Sequence, residues 1–182
     1  MFFYFFFALL VFQRVGELVI AKKNEKWMVK RGALEHGQEH YPFIVLLHIA
    51  FLLSLFLEVI LFEKQIVNLW YFVIALLAIT QLIRYWALIS LGQYWNTKIM
   101  IVPNDVVVCK GPYRFIRHPN YIVVAIELLF IPLLFQAYAT AIIFTLLNIG
   151  MMTIRIPAEE KALSQHTNYL EVFKLSQEPN NE

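Results

Sequence analysis

The sequence predicts an all-α integral membrane protein of about five transmembrane helices, the last two joined as a hairpin. Three observations predict it. The 182 residues are 60% apolar and 16% aromatic, with a mean hydropathy of +0.62, whereas an average soluble domain is about 45–50% apolar. The apolar residues gather in runs close to the roughly 20 residues a helix needs to cross a hydrocarbon core. Charge is concentrated where those runs stop, above all in residues 111–121, GPYRFIRHPNY, and in the cluster Arg155, Glu159 and Glu160. One domain over 1–182 is expected, with three N-terminal spans in 1–91, a polar-punctuated half in 92–176 and a disordered tail at 177–182.

Each element follows in order. The opening run MFFYFFFALLVF has no basic residue ahead of it and no small-x-small cleavage pattern, so it reads as a retained first span over 2–21 and not as a signal peptide. Residues 22–41 are charged and contain Gly32 and Gly37; the first helix should continue a few turns into them before turning. Residues 42–62 and 67–91 supply spans two and three. Residues 92–120 hold Pro103, Gly111, Pro112 and Pro119 and cannot form one continuous helix. The run 121–154 is too long for one span, and Pro132 with the break at 136–138 divides it into 121–135 and 137–154, the first of these short.

Loop charge sets the orientation. Lys22, Lys23, Lys26, Lys30 and Arg31 follow span one; Lys98, Lys110, Arg114 and Arg117 follow span three; Arg155, Lys161 and Lys174 follow the last. Lys64 stands alone on the other side. The N-terminus is therefore expected outside, and both polar clusters in the cytoplasm. A net charge of +2 gives no reason to expect a nucleic-acid partner. A single cysteine, Cys109, excludes an intrachain disulfide and reads as a packing residue. His36 and His40 are four apart, but Gly37 between them weakens the helix that would align them, and no HExxH pattern exists, so no metal site is expected.

The polar clusters have two readings each. Pro119 suits a first helical turn, where backbone N–H groups lack partners and would attract an anion. Arg114 and Arg117 would equally meet lipid phosphates, and His118 and Tyr121 would equally anchor a membrane interface. Arg155 and Glu159, spaced i,i+4, share a helix face and would form a plain ion pair as readily as a site. Arg14, Glu17, Glu58, Arg84 and Glu127 lie inside apolar segments, where charge is costly and usually paired or functional; mutual pairing is the simpler expectation, and gripping a polar lipid headgroup the other.

The combination is more specific than its parts. Gly111-Pro112-Tyr113-Arg114, then Arg117-His118-Pro119-Asn120-Tyr121, then an apolar hairpin, then Arg155 with Glu159-Glu160, resembles the isoprenylcysteine carboxyl methyltransferase family, and most closely its short bacterial members. Arg14-Val-Gly-Glu17-Leu18, Asn24-Glu25-Lys26-Trp27 and His40-Tyr41-Pro42 extend the resemblance over most of the chain. It implies a cytoplasm-facing pocket for S-adenosylmethionine in the half 92–176, in a bacterial cytoplasmic membrane. Tyr113, His118, Pro119, Asn120, Tyr121 and Glu159 would bind this cofactor, and Arg155 would orient the acceptor. The strand-like run at 105–108 would wrap it with the main chain of Val106, Val107 and Val108, and Lys98 occupies a peripheral position. Ile122 and Val123 stand near where many relatives carry a glycine, Glu127 interrupts an otherwise apolar lining, and the additional N-terminal spans of eukaryotic members are missing; these departures bear on the acceptor.

A sulfonium methyl donor needs neither metal nor covalent enzyme intermediate, only alignment. A carboxylate acceptor is already ionised near neutral pH, and the anion of a phenol or enol would be held by Arg155 through a charge-assisted hydrogen bond. No general base is assigned; Glu159 would serve only for a neutral hydroxyl. The expected acceptor is an amphiphile entering from the bilayer, a polyketide-derived phenolic or pyrone lipid, with prenylcysteine carboxylate and a phospholipid amine as alternatives. A non-catalytic transport or scaffold protein is the reading from another class.

Overall fold

The computed structural model describes residues 1–175, so the tail expected at 177–182 lies outside the described residues. Helix α1 spans Phe2–Lys30, followed by strand β1 (Leu34–His36), α2 (Tyr41–Leu61), α3 (Trp70–Leu91), β2 (Ile99–Ile101), α4 (Pro119–Leu134), α5 (Tyr138–His166) and α6 (Tyr169–Leu175). Short 3₁₀ turns occupy Gly92–Tyr94 and Gly111–Arg114. Helices α1, α2, α3 and α5 are long and apolar enough to cross a membrane. Helix α4, with 16 residues, is the short member of the hairpin.

The spacing of apolar and small residues explains how the helices pack. The buried side of α1 is Phe3, Leu10, Glu17, Ala21, Asn24 and Met28, a stripe advancing by about seven, then by three or four residues, as one helix face must. Helix α2 buries Leu47, Phe51, Leu55 and Val59 at a strict i,i+4 interval. These stripes, with Leu128, Ile131, Leu134 and Phe135 of the hairpin and Phe144 of α5, make the main core. Large apolar side chains such as Phe5, Phe12, Phe43, Leu82 and Ile142 are exposed on the outward faces, as expected where the surrounding solvent is hydrocarbon.

The hairpin turns within three residues. Pro132 leaves its own carbonyl to accept from the backbone N–H of Phe135 at 3.0 Å and of Ala137 at 2.9 Å, and Gln136 takes a positive φ of 54°. Across the turn, the Glu58 carboxylate on α2 accepts from the N–H of Ala139 at 3.2 Å, the N–H of Thr140 at 2.8 Å and the Thr140 hydroxyl at 2.7 Å. It thereby covers free donors at the start of α5.

The other intramembrane charges find one another. Arg14 donates to Glu17 at 2.7 Å and to Glu127 at 2.5 Å; Arg84 donates to Glu17 at 2.8 Å and also pairs with Glu127. Two cations and two anions, shared among α1, α3 and α4, cancel in the interior. Gln81 donates to Glu127 at 2.7 Å, and Gln13 donates to both Glu17 and Gln81. Pairing is therefore what the structure shows for Arg14, Glu17, Arg84 and Glu127.

Three local expectations are corrected. The protein is not purely helical: β1 and β2 form an antiparallel pair with Leu34 opposite Ile101, Glu35 opposite Met100 and His36 opposite Ile99. Strand structure lies at 99–101, where all three residues are buried, and not at 105–108, where Val106 is 72% exposed and no partner strand runs alongside. Helix α5 does not stop near 154 but continues through Pro157 to His166. Pro157 removes one helical hydrogen bond, yet the helix persists and carries Arg155, Glu159 and Glu160 past its apolar part. The extension of α1 beyond residue 21 agrees with expectation; it ends where Gly32 (φ 78°) lets the Ala33 N–H return to the Met28 carbonyl.

Candidate functional site

The segment between α3 and α4 closes against the last turns of α5 around a cavity of about 100 Å³. Lys98, Tyr113, Arg117, His118, Pro119, Asn120, Tyr121, Arg155 and Glu159 line it, with Leu91, Ile99, Met100 and Ile101 as its apolar wall. Gly111 allows this closeness. Its φ is 60°, and a Cβ there would stand 2.0 Å from the Ser90 Oγ of α3. The adjoining 3₁₀ turn buries Tyr113, whose hydroxyl accepts from Asn120 Nδ2 at 3.1 Å. Burial, then the nearby Glu159 carboxylate, raises the Tyr113 phenol above its ordinary value, so it keeps its proton.

His118 precedes α4, and Pro119 opens it in a fully buried position. The imidazole stacks on Tyr121 with ring centroids 5.3 Å apart and lies between two carboxylates: Nδ1 is 3.8 Å from Glu159, and Nε2 is 3.2 Å from Glu160. Glu160 also accepts from the Tyr169 hydroxyl at 3.2 Å and faces Arg117 at 3.6 Å. Burial first, and the Glu160 charge second, push the Tyr169 phenol up to about 12.

Arg155 is 6% exposed. Its Nε donates to the Tyr121 hydroxyl at 2.9 Å and its Nη2 to the Thr97 carbonyl at 2.5 Å; Tyr121 in turn donates to Glu159. Arg155 and Glu159 are therefore not the plain ion pair that i,i+4 spacing allowed. Tyr121 stands between them, and among the described residues no carboxylate reaches Arg155 within ion-pair distance. A buried guanidinium satisfied only by neutral oxygens can still take an anion.

Of the residues singled out in the sequence, Tyr113, His118, Pro119, Asn120, Tyr121, Arg155, Glu159 and Lys98 are brought together. Val106, Val107 and Val108 are not on the cavity wall; Val107 N–H donates instead to Asn168 Oδ1 at 2.9 Å. Lys98 lines the cavity but is committed to Glu25 at 2.9 Å and Glu35 at 3.2 Å. The hydrogen bond to Glu25 is the largest influence holding its pKa above the ordinary value. Thr97 and Tyr169 had no sequence signal, and Tyr41 (its hydroxyl 3.2 Å from Thr97 Oγ1) had only its place in the His40-Tyr41-Pro42 stretch of the resemblance. Thr97 meets Arg155 through its main chain, which residue type does not reveal, and Tyr169 lies beyond every motif. His36 packs its ring 5.1 Å from that of His166, and among the described residues no group of three His, Cys, Asp or Glu side chains is gathered for a metal.

The donor set suits a zwitterionic sulfonium nucleoside in kind. Carboxylates and aromatic faces favour its cationic parts, Arg117 and the start of α4 its carboxylate, and the apolar wall its base. In size the cavity matches only part of such a ligand, since small-molecule sites enclose roughly 300 Å³ or more. Admitting the whole of such a ligand would require the walls to part.

A sequence model described as the isoprenylcysteine carboxyl methyltransferase (ICMT) family matches residues 72–165, which contain every side chain just named on the cavity wall. Two proteins are similar along most of the chain. "Uncharacterized protein YpbQ" of Bacillus subtilis (strain 168) is 47% identical over 165 residues, covering 91% of this chain and 98% of that protein. An "Uncharacterized protein" of Haemophilus influenzae (strain ATCC 51907 / DSM 11121 / KW20 / Rd) is 26% identical over 159 residues, covering 87% and 92%. No solved structure matches.

Proposed function

This chain belongs to the isoprenylcysteine carboxyl methyltransferase family, and on that premise we propose that it is an S-adenosylmethionine-dependent O-methyltransferase of an amphiphilic, membrane-embedded acceptor. The observation that carries this reading is the chain Arg155–Tyr121–Glu159 on the wall of one cavity with the start of α4. When bound, S-adenosylmethionine supplies an activated methyl group, so the protein's task is alignment and charge placement. Glu159, Tyr113, His118, Pro119, Asn120 and Tyr121 would hold the donor. Arg155 would orient the acceptor oxygen through a charge-assisted hydrogen bond.

Buried Arg155 favours an anionic acceptor oxygen and disfavours an amine that becomes a cation on methylation. A phenolic or pyrone lipid of polyketide origin meets that demand, and a prenylcysteine carboxylate meets it equally. The Lys/Arg bias of the loops supports a cytoplasmic side for this reaction. We assign no general base, because an acidic phenol, enol or carboxylate ionises with little help.

Calorimetric titration of the solubilised full chain with S-adenosylhomocysteine tests the donor site. Binding is expected, with His118→Ala and Glu159→Ala each weakening it by roughly tenfold or more, as the loss of one charge-assisted contact requires. No binding by the unaltered protein, or binding indifferent to both substitutions, would overturn the reading. Incubation with labelled donor and either an alkylphenol or a prenylcysteine then identifies the acceptor class by which one gains a methyl group.

A further inference from the structure

A second concavity lies away from the donor site. Between the first half of α1 and the middle of α3 is a cleft of about 350 Å³. Phe5 and Leu9 stand exposed at its rim, while buried Leu10, Leu77 and Ile131 form its floor. All but Ile131 of α4 belong to helices long and apolar enough to cross a membrane, so the cleft opens toward hydrocarbon. The lining is apolar except for Gln13 and Gln81.

These two amides are oriented by the charges behind them. Glu17 and Glu127 sit between two guanidiniums and act as acceptors. Gln81 must therefore present its Nε2 to Glu127, leaving its carbonyl oxygen to accept from Gln13 Nε2, which also donates to Glu17. The relay is closed at both ends. It leaves two groups over: among the described residues, the Gln13 carbonyl oxygen and the second Gln81 Nε2 hydrogen have no partner. Turned toward hydrocarbon, an unmet acceptor is costly, and no bulk water is present to cover it.

We propose that this cleft is a binding site for a single-chain lipid carrying a hydroxyl group, whose chain lies along Phe5, Leu9 and Leu77 and whose O–H donates to Gln13 Oε1. The cleft offers one acceptor, Gln13 Oε1, and one remaining donor, the second Gln81 Nε2 hydrogen, so a hydroxyl meets both, giving its proton to the first and accepting from the second. A methyl ether of the same lipid lacks that proton. If the O-methylation proposed above is the reaction, which this further sense of the site rests on, the cleft separates unmethylated acceptor from methylated product.

The test uses the full chain in lipid nanodiscs without methyl donor, so its outcome is separate from methyl transfer. Retention of pentadecylphenol and of its methyl ether is read by native mass spectrometry. The phenol should bind roughly three- to tenfold more tightly, the net worth of one hydrogen bond. Gln13→Leu should abolish that preference while leaving the ether's retention unchanged. Ala78→Phe, which fills the cleft from its exposed side without touching the relay, should lower retention of both. An unaltered thermal midpoint reports that each variant is folded. Equal retention of phenol and ether by the unaltered protein, as expected if bilayer phospholipid or a trapped water covers Gln13, overturns the proposal. So does a preference that survives Gln13→Leu.

Discussion

Arg155 shows most directly how one side chain joins the two halves of the site. Its guanidinium reaches the Tyr121 hydroxyl and the Thr97 carbonyl from separate nitrogens, a span that a planar fork provides and an ammonium does not. Arg155→Lys keeps the charge but cannot satisfy both oxygens while presenting a donor to an acceptor. The expected outcome is a loss of about 1.5–3 kcal/mol in kcat/KM for the acceptor, the usual worth of a charged hydrogen bond, with S-adenosylhomocysteine affinity unchanged. Steady-state kinetics beside titration checks it; a matching loss of S-adenosylhomocysteine affinity would instead assign Arg155 to the donor. The roles proposed for Arg155 and Glu159 come from the resemblance alone, because i,i+4 spacing allowed a plain ion pair as readily as a site. That Tyr121 stands between them was not legible, since it depends on where α4 meets α5.

Between elements, the charge network decides how α1 is held. Its outward face is apolar, and hydrocarbon solvates that face as well as a neighbouring helix would, so polar contacts supply much of the specificity of packing. Arg84, 5% exposed, pairs with Glu17 on α1 and Glu127 on α4. Arg84→Leu leaves an excess buried negative charge and should cost about 3–5 kcal/mol. The double substitution Arg84→Leu with Glu127→Leu restores neutrality and should cost less than the single one. Thermal unfolding of the solubilised variants measures this ordering, and a double variant less stable than Arg84→Leu would contradict it. Strand β1 offers a second test. Burial, and secondarily His166, lowers the His36 pKa below its ordinary value of 6.5. The folded state thus resists a proton that the unfolded chain accepts, so this contribution is full above pH 6.5 and declines as pH falls below it. His36→Gln should flatten the pH dependence of the thermal midpoint between pH 7.5 and 5.5. Arg14, Glu17, Arg84 and Glu127 were readable as charges that should pair, as was the hairpin from Pro132 and the break after it; Glu58, expected in the same set, meets the start of α5 instead of a cation. The β1–β2 pair was not, because three-residue strands leave no periodicity and their pairing joins residues more than sixty positions apart.

For the molecule as a whole, membrane orientation fixes the side on which the site opens. Fourteen residues of segment 103–116 would be stranded with the donor pocket on the wrong face if the orientation were reversed, since that segment leads directly into α4. Helix length alone does not decide the matter: α1, α2, α3 and α5 are long enough to cross, and α4 is shorter. Three spans, α1 to α3, separate the N-terminus from the segment that leads into α4, so the two would lie on opposite sides whether or not α4 crosses fully. The protein carries its own reporter. Cys109 is the only cysteine, it is exposed, and it lies between β2 and the Gly111–Arg114 turn beside the candidate site. If Lys22, Lys30, Arg31, Lys110 and Arg117 face the cytoplasm, as the loop-charge bias predicts, a membrane-impermeant maleimide should leave Cys109 unlabelled in intact cells and label it in inverted vesicles. Labelling from outside would reverse the orientation and remove the donor site from the compartment that holds S-adenosylmethionine. The same thiol reads the opening that a 100 Å³ cavity demands of a larger ligand. If segment 103–116 moves when the donor site fills, saturating S-adenosylhomocysteine should change the labelling rate of Cys109 in inverted vesicles. An unchanged rate would place the opening elsewhere, in α6 or the last turn of α5.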